Sequence, residues 1–220
     1  MSFKDKDYQM GIQADAQQYA FYFDGTRCSG CKVCEIACKD YYHLPADRSY
    51  RHVYEYTGGT WTELADGSFE QSVFNYPVSI SCNHCDKPAC VEACPSGAMH
   101  KNEQNFVLVH EEQCIACGSC EKACPYHAPR MNTKDQHMEK CSGCYERIKQ
   151  GRSPICVEAC TMRALQFAPI EEIMKLEGEE ANIAPLPDPA LTTPSLIIKA
   201  SPLAKASGDT SGFIGNIAEV

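Results

Sequence analysis

Sixteen cysteines in a chain of 220 residues carry the chemistry of this sequence, and they fall into four groups of four. Cys28, Cys31, Cys34 and Cys38 are spaced C-x2-C-x2-C-x3-C, and Cys114, Cys117, Cys120 and Cys124 repeat that spacing before Pro125. Cys82, Cys85, Cys90 and Cys94 read C-x2-C-x4-C-x3-C before Pro95, while Cys141, Cys144, Cys156 and Cys160 read C-x2-C-x11-C-x3-C. Three thiolates two residues apart let a tight loop wrap three corners of an iron-sulfur cubane, with backbone N–H groups turned toward the sulfurs. The fourth corner is then filled from elsewhere in the chain.

The C-x2-C-x2-C-x3-C-P run is the spacing in which the fourth cysteine binds the second of two clusters. Cys120 and Cys124 are one helical turn apart, so one helix end can join two clusters. Zinc is the chemical rival, but it takes pairs of ligands from two knuckles, whereas here three stand in one loop, twice. The spacing therefore favours four [4Fe-4S] clusters. Gly30, Gly118 and Gly143 lie beside ligand cysteines, where the backbone must pass close to inorganic sulfide without a Cβ. His84 and His127 are surplus to the ligand sets, and Trp61, Tyr54, Tyr56 and Tyr76 read as packing residues. Lys32, Lys39, Lys122, Lys140 and Arg147 lie near the cysteines and are candidates to soften the anionic charge of the loaded sites.

Composition narrows the class. Of 44% hydrophobic residues, removing the cysteines leaves about 37%, a thin core for a globular chain. A formal charge of -9 and no basic run argue against nucleic acid as a partner. The longest apolar runs are about five residues, far short of the roughly 20 that cross a bilayer. Residues 1–18 are polar, with no signal peptide and no Arg-Arg pair, so any export is expected alongside a partner. Eight disulfides would suit a small secreted module, which this is not.

Around the cysteine groups the chain repeats strand, cluster loop and short helix. Residues 18–23, 78–81 and 106–109 are the expected strands that lead into three of the groups. The expected class is α+β, with two ferredoxin-like dicluster domains, a β-hairpin insertion and an extended C-terminal arm. Residues 1–18 form a flexible tail, 19–48 with 138–170 one dicluster domain, 76–137 the other, and 49–75 the insertion, broken at Gly58-Gly59 and Asp66-Gly67. Residues 171–220 hold the arm, with an amphipathic helix over 170–176 at its start. Five prolines in the last forty residues keep the arm extended, either free or along a partner, and residues 196–198 favour docking.

The four groups, the wide C-x11-C gap, the segments Ser79-Ile80-Ser81-Cys82-Asn83-His84-Cys85 and Pro95-Ser96-Gly97-Ala98-Met99-His100, and the tail strings Ala184-Pro185-Leu186-Pro187 and Gly208-Asp209-Thr210 resemble the iron-sulfur subunits of dimethyl sulfoxide reductases. These belong to the four-cluster beta subunits of molybdopterin oxidoreductases. The resemblance implies crossed ligand sets: Cys28, Cys31 and Cys34 with Cys160; Cys141, Cys144 and Cys156 with Cys38; Cys82, Cys85 and Cys90 with Cys124; Cys114, Cys117 and Cys120 with Cys94. It also implies that the first dicluster domain faces a molybdopterin catalytic subunit and the second a quinol-oxidising membrane anchor, at the periplasmic face of the inner membrane. Nitrate reductase beta subunits have tryptophan where Cys117 stands; the cysteine implies a four-iron centre. Formate dehydrogenase beta subunits carry a membrane helix that is lacking here. Partners of polysulfide, thiosulfate and tetrathionate reductases share the cysteine plan and stay open.

The implied role is electron transfer without a reaction of its own. A zinc scaffold and a free-standing ferredoxin are the rival classes, separated from it by colour and by co-purifying subunits. Because ligands to each site come from distant parts of the chain, cluster binding and folding are expected to be coupled. Circular dichroism after anaerobic chelation should show no cooperative thermal transition; an apo-protein that keeps one has a self-sufficient core.

Overall fold

The computed structural model describes residues 18–219. The tail expected over residues 1–18 lies outside the described residues apart from Gln18. The chain runs β1 (Tyr19–Asp24), α1 (Val33–Tyr41), β2 (Arg51–Gly58), β3 (Trp61–Glu63), β4 (Phe69–Gln71), β5 (Phe74–Ser81), α2 (Ala89–Glu92), β6 (Met99–Lys101), β7 (Val107–Val109), α3 (Ser119–Ala123), β8 (Arg130–Asn132), β9 (His137–Glu139), α4 (Tyr145–Lys149), α5 (Ile155–Glu158), β10 (Leu165–Pro169), α6 (Ile170–Ile173), β11 (Glu179–Glu180), β12 (Leu196–Lys199) and β13 (Gly212–Ile214). This is the α+β class foreseen from the spacing.

All six residues of β1 are buried, because its two faces are both covered and both edges are paired. It lies between β10, antiparallel with Phe21 opposite Phe167, and β12, parallel with Phe21 opposite Leu196. Phe21 and Phe167 meet with ring centroids 4.5 Å apart, and Tyr19 meets Phe106 at 5.5 Å. Such aromatic contacts add about 0.5–1.5 kcal/mol each beyond area burial. A second sheet, β13-β2-β5, sends Val53, Tyr56, Phe74, Tyr76, Val78 and Ile80 into the same core. The core is thus built from rings and aliphatics on strands, with cysteines at its margin.

The insertion is a long hairpin whose root, β2 with β5, belongs to that core, and whose tip, β3 with β4, is exposed. Tyr56 and Tyr76 are buried as expected, but Trp61 is not a packing residue of the core: it is 67% exposed and meets Phe69 at the hairpin tip. The helix expected over residues 170–176 shortens to the single turn of α6, with Ile173 buried and Met174 exposed.

The helices that carry cysteines are only four to nine residues long. Isolated helices of that length are marginal, so tertiary contacts must hold them. They pack in two pairs, α1 on α5 and α2 on α3.

The C-terminal arm is extended, yet it lies on the chain's own body. Beyond the strand pairs of β12 and β13, the Asp86 N–H donates to the Thr193 carbonyl at 2.8 Å, the Lys87 N–H to Thr192 at 3.1 Å, and the Ser195 N–H to Asn83 at 3.1 Å. The Gln18 amide donates to Ser195 Oγ at 2.7 Å and to the His84 carbonyl at 3.0 Å. Tyr56 Oη donates to the Asp209 carbonyl at 2.8 Å. The docking stretch foreseen in residues 196–198 is therefore an internal strand.

One backbone feature recurs in each C-x2-C loop: the residue before the second cysteine has positive φ, at Gly30 (70°), His84 (46°), Ala116 (54°) and Gly143 (68°). This left-handed turn reverses the chain between two sulfurs. A Cβ at Gly143 would also stand 2.8 Å from the Phe106 ring. A left-handed residue with a Cβ costs roughly 1–2 kcal/mol, and about 1 kcal/mol moves the melting midpoint of a chain this long by about 2–4 °C. Thermal unfolding of the cluster-loaded protein should accordingly show Gly143→Ala melting several degrees lower and Ala116→Gly a few degrees higher; an unchanged Gly143→Ala midpoint would contradict the loop geometry.

Candidate metal centres

The structure brings sulfurs from different cysteine groups together. A cleft between β1, β10 and the first loop is lined by Cys28, Cys31, Cys34 and Cys160. Burial, followed by the neighbouring sulfurs of Cys34, Cys160 and Cys31, pushes the Cys28 thiol up to about 11. Cys38, one turn of α1 beyond Cys34, faces Cys141, Cys156 and Cys144, and burial together with those sulfurs raises its pKa. Burial and then the fields of Cys82, Cys124 and Cys85 push Cys90 up to about 12. Cys120 is pushed up to about 11 by burial, with Cys94 and Cys114 beside it, and Cys117 also feels Cys94. None of the sixteen is in a disulfide.

Each helix pair carries cysteines of two groups. Cys34 and Cys38 lie on α1 and Cys156 on α5, while Cys90 lies on α2 and Cys120 on α3. The two halves touch where burial, Cys144 and then Cys82 raise the Cys141 thiol, to about 12. Most of the cysteines are buried or half-buried; Cys31 and Cys117 are exposed, one in the first group and one in the third.

The donor chemistry fits cluster binding. Backbone N–H groups donate to Sγ at 3.3 Å four times: Met99 to Cys94, Met138 to Cys114, Gly143 to Cys141 and Ala164 to Cys160. Tyr42 Oη donates to Cys144 Sγ, also at 3.3 Å. Such donors favour thiolate over thiol, the form that binds metal. The Val33 N–H lowers the Cys31 pKa, and the Ser119 hydroxyl and N–H lower that of Cys117. Buried soft sulfurs gathered from separate loops and ringed by N–H donors match the requirements of a four-iron cubane.

The histidines stay apart from these sulfurs. His127 is exposed, whereas His84 is buried and structural: Nδ1 accepts from the Val107 N–H at 3.0 Å, and burial, with Lys140 and Lys101 nearby, holds its pKa well below the usual value. Three of the cations named near the cysteines are held by specific partners. Lys140 is buried and donates to the Val107 and Cys141 carbonyls. Arg147 is buried and paired with Glu158. Lys39 is tied to the Ala46 and Arg48 carbonyls, both at 2.8 Å. Nothing in the cysteine spacing points to Arg51, which is 2% exposed. Its signal was its parity in β2, two residues from core-facing Val53.

Residues 73–170 match a model described as a 4Fe-4S dicluster domain, and residues 26–42 one described as a 4Fe-4S binding domain. Between them these segments contain all sixteen cysteines. The protein is 55% identical over 204 residues to the B subunit of anaerobic dimethyl sulfoxide reductase from Haemophilus influenzae, covering 93% of this sequence and all of that one. It is 52% identical to the corresponding B subunit from Escherichia coli, covering 92% of this sequence and 98% of that one. A thiosulfate reductase electron transfer subunit from Salmonella typhi is 35% identical across 70% of this sequence and 78% of its own. With the likeness running through the C-terminal clasp as well as the cysteine loops, the protein belongs to the family of anaerobic dimethyl sulfoxide reductase B subunits, non-catalytic iron-sulfur subunits.

Proposed function

We propose that this protein relays electrons from an integral membrane subunit that oxidises quinol to a molybdopterin subunit that reduces dimethyl sulfoxide or a related S- or N-oxide during anaerobic respiration. The ligand sets are Cys28, Cys31, Cys34 and Cys160; Cys38, Cys141, Cys144 and Cys156; Cys82, Cys85, Cys90 and Cys124; and Cys94, Cys114, Cys117 and Cys120. Each bound cluster supplies a reversible one-electron store whose potential depends on local charge, hydrogen bonds to sulfur and solvent access. The protein's own residues set those three quantities.

The observation that carries this reading is the order of the four sulfur sets. Cys31 is exposed in one outer set and Cys117 in the other, while the Cys82 sulfur acts on Cys141 at the middle junction. Sulfur sites so arranged suit entry at one surface and exit at another. The exposed cysteines have apolar neighbours fit for contact with other subunits: Met162, 43% exposed, lines the same cleft as Cys31, and Ile115, 62% exposed, stands two residues before Cys117. The relatives' names as reductase and electron transfer subunits support the same role. In the description we propose, residues 19–48 with 138–170 bind the two clusters nearer the molybdopterin subunit, and residues 76–137 the two nearer the anchor.

No described helix is long and apolar enough to cross a membrane, so membrane attachment, placed by this reading on the periplasmic face, falls to the anchor subunit. Within the protein, burial excludes water from the inner sulfurs, the N–H donors orient them, and the paired helices fix the spacing within each half.

The protein isolated anaerobically with its partners should hold about sixteen iron atoms and as much acid-labile sulfide; negligible iron would end this reading. Cys117→Trp removes one ligand from the outer set and should convert that centre to a three-iron form, seen as a new EPR signal in the oxidised protein. An unchanged oxidised spectrum would remove Cys117 from the ligand set.

A further inference from the structure

Arg51 opens β2 on its inward face, opposite Ser81 in β5 and diagonal to Ser79. Its side chain lies across both partners: Nη1 donates to Ser79 Oγ at 3.1 Å and Nη2 to Ser81 Oγ at 2.9 Å. Its guanidinium carbon stands 4.8 Å from the centre of the Phe21 ring. Nε has no hydrogen-bond partner, and no carboxylate lies within ion-pair distance among the described residues. The residue is 2% exposed.

A guanidinium cannot shed its proton, and a buried charge without a counter-ion is strongly destabilising. The neighbours able to balance Arg51 are sulfurs. Ser79 Oγ lies 3.5 Å from Cys34 Sγ, so the hydroxyl that accepts from Arg51 can donate onward to that sulfur. Burial works against the charge, and the sulfurs of Cys156, Cys34, Cys141 and Cys38 together more than offset it. Cys34 belongs to one set, and Cys38, Cys141 and Cys156 to the next.

We propose that Arg51 is the shared buried counter-ion of the two cluster sites on α1 and α5, raising the potential of both, with Ser79 carrying its contact on to Cys34 and Ser81 holding its other Nη. The inference rests on the crossed ligand sets proposed above. Each one-electron reduction adds one negative charge to a site, and a fixed positive charge held between two sites stabilises both reduced forms. Lys140 acts instead on Cys90 and Cys124 in the other half, whereas the sulfurs that act most on Arg51 all belong to its own pair of sites. Arg147, though equally buried, has Glu158 as its counter-ion and is not available for this role.

The test is an EPR-monitored redox titration of the anaerobically isolated complex carrying Arg51→Gln, with Arg51→Lys beside it. In Arg51→Gln two of the four centres should shift to lower potential by about tenfold in their one-electron equilibrium, about 59 mV, and the other two by less than about threefold. Arg51→Lys keeps the charge and should recover most of the shift. If Arg51→Gln instead loses iron from two centres, Arg51→Lys should restore them. Four loaded centres with none displaced, a uniform shift of all four, or a lysine variant as impaired as the glutamine would overturn the proposal. The unaltered complex is the control for the underlying reading: fewer than four centres there would refute the ligand sets, independently of Arg51.

Discussion

Packing sixteen sulfurs that must end as thiolates into a protein already at a formal charge of -9 is the constraint on which the rest of this structure depends. Loss of water and the nearness of other sulfurs both oppose ionisation of a buried thiol. Cys85, Cys90 and Cys141 are pushed up to about 12, with burial the largest cause. Left to themselves, such groups stay neutral at ordinary pH. A metal core that demands thiolate must displace those protons, and the protein must then carry the negative charge in its interior. Backbone N–H groups are the first compensation, because they come without a side chain and can be aimed by loop geometry alone. The second is a small number of cations held deep between sites.

Loop geometry accounts for the repeated positive φ before the second cysteine of each pair. The turn is the same whether glycine, histidine or alanine occupies it. Where the residue is His84 or Ala116 the conformation is intrinsically unfavourable, and it persists because flanking contacts impose it. For His84 those contacts are visible: its ring accepts from Val107, its carbonyl accepts from Gln18 and Ser195, and a ring edge meets Phe106 with centroids 5.4 Å apart. A residue set aside as surplus to the ligands is therefore the brace of a ligand loop.

The cysteine spacing points to the candidate sites because a cubane loop is a local object, written in three or four nearby positions. The strands leading into the loops were readable for the same reason, as short apolar runs before each group. What escaped was long-range. Residues 171–220 read as an arm, with residues 196–198 open to docking, since nothing local says that β12 will pair in parallel with β1 or that Thr193 will meet Asp86. Trp61 looked like core because tryptophan usually is, and only the hairpin's length carries it clear of the body. Arg51 escaped because its meaning lies in a missing carboxylate, which no stretch of sequence displays. Its position on the buried parity of β2 was the one hint available.

The clasp by the C-terminal arm follows from an irregularity in the second cysteine group. Where two of the groups place two residues between their second and third cysteines, this one places four between Cys85 and Cys90, and the N–H groups of Asp86 and Lys87 lie in that longer loop. Asp86 and Lys87 are themselves exposed, yet their N–H groups donate to the Thr193 and Thr192 carbonyls, and these bonds tie the loop to the arm. The same loop begins one residue after Ser81, the end of β5 that meets Arg51. A single strand thus carries the serines that face one pair of sites and passes directly into the cysteines of the other. With β5 locked in register against β2 from Arg51 to Gly58, the strand that joins the two sets of sites is part of a paired sheet rather than a free linker.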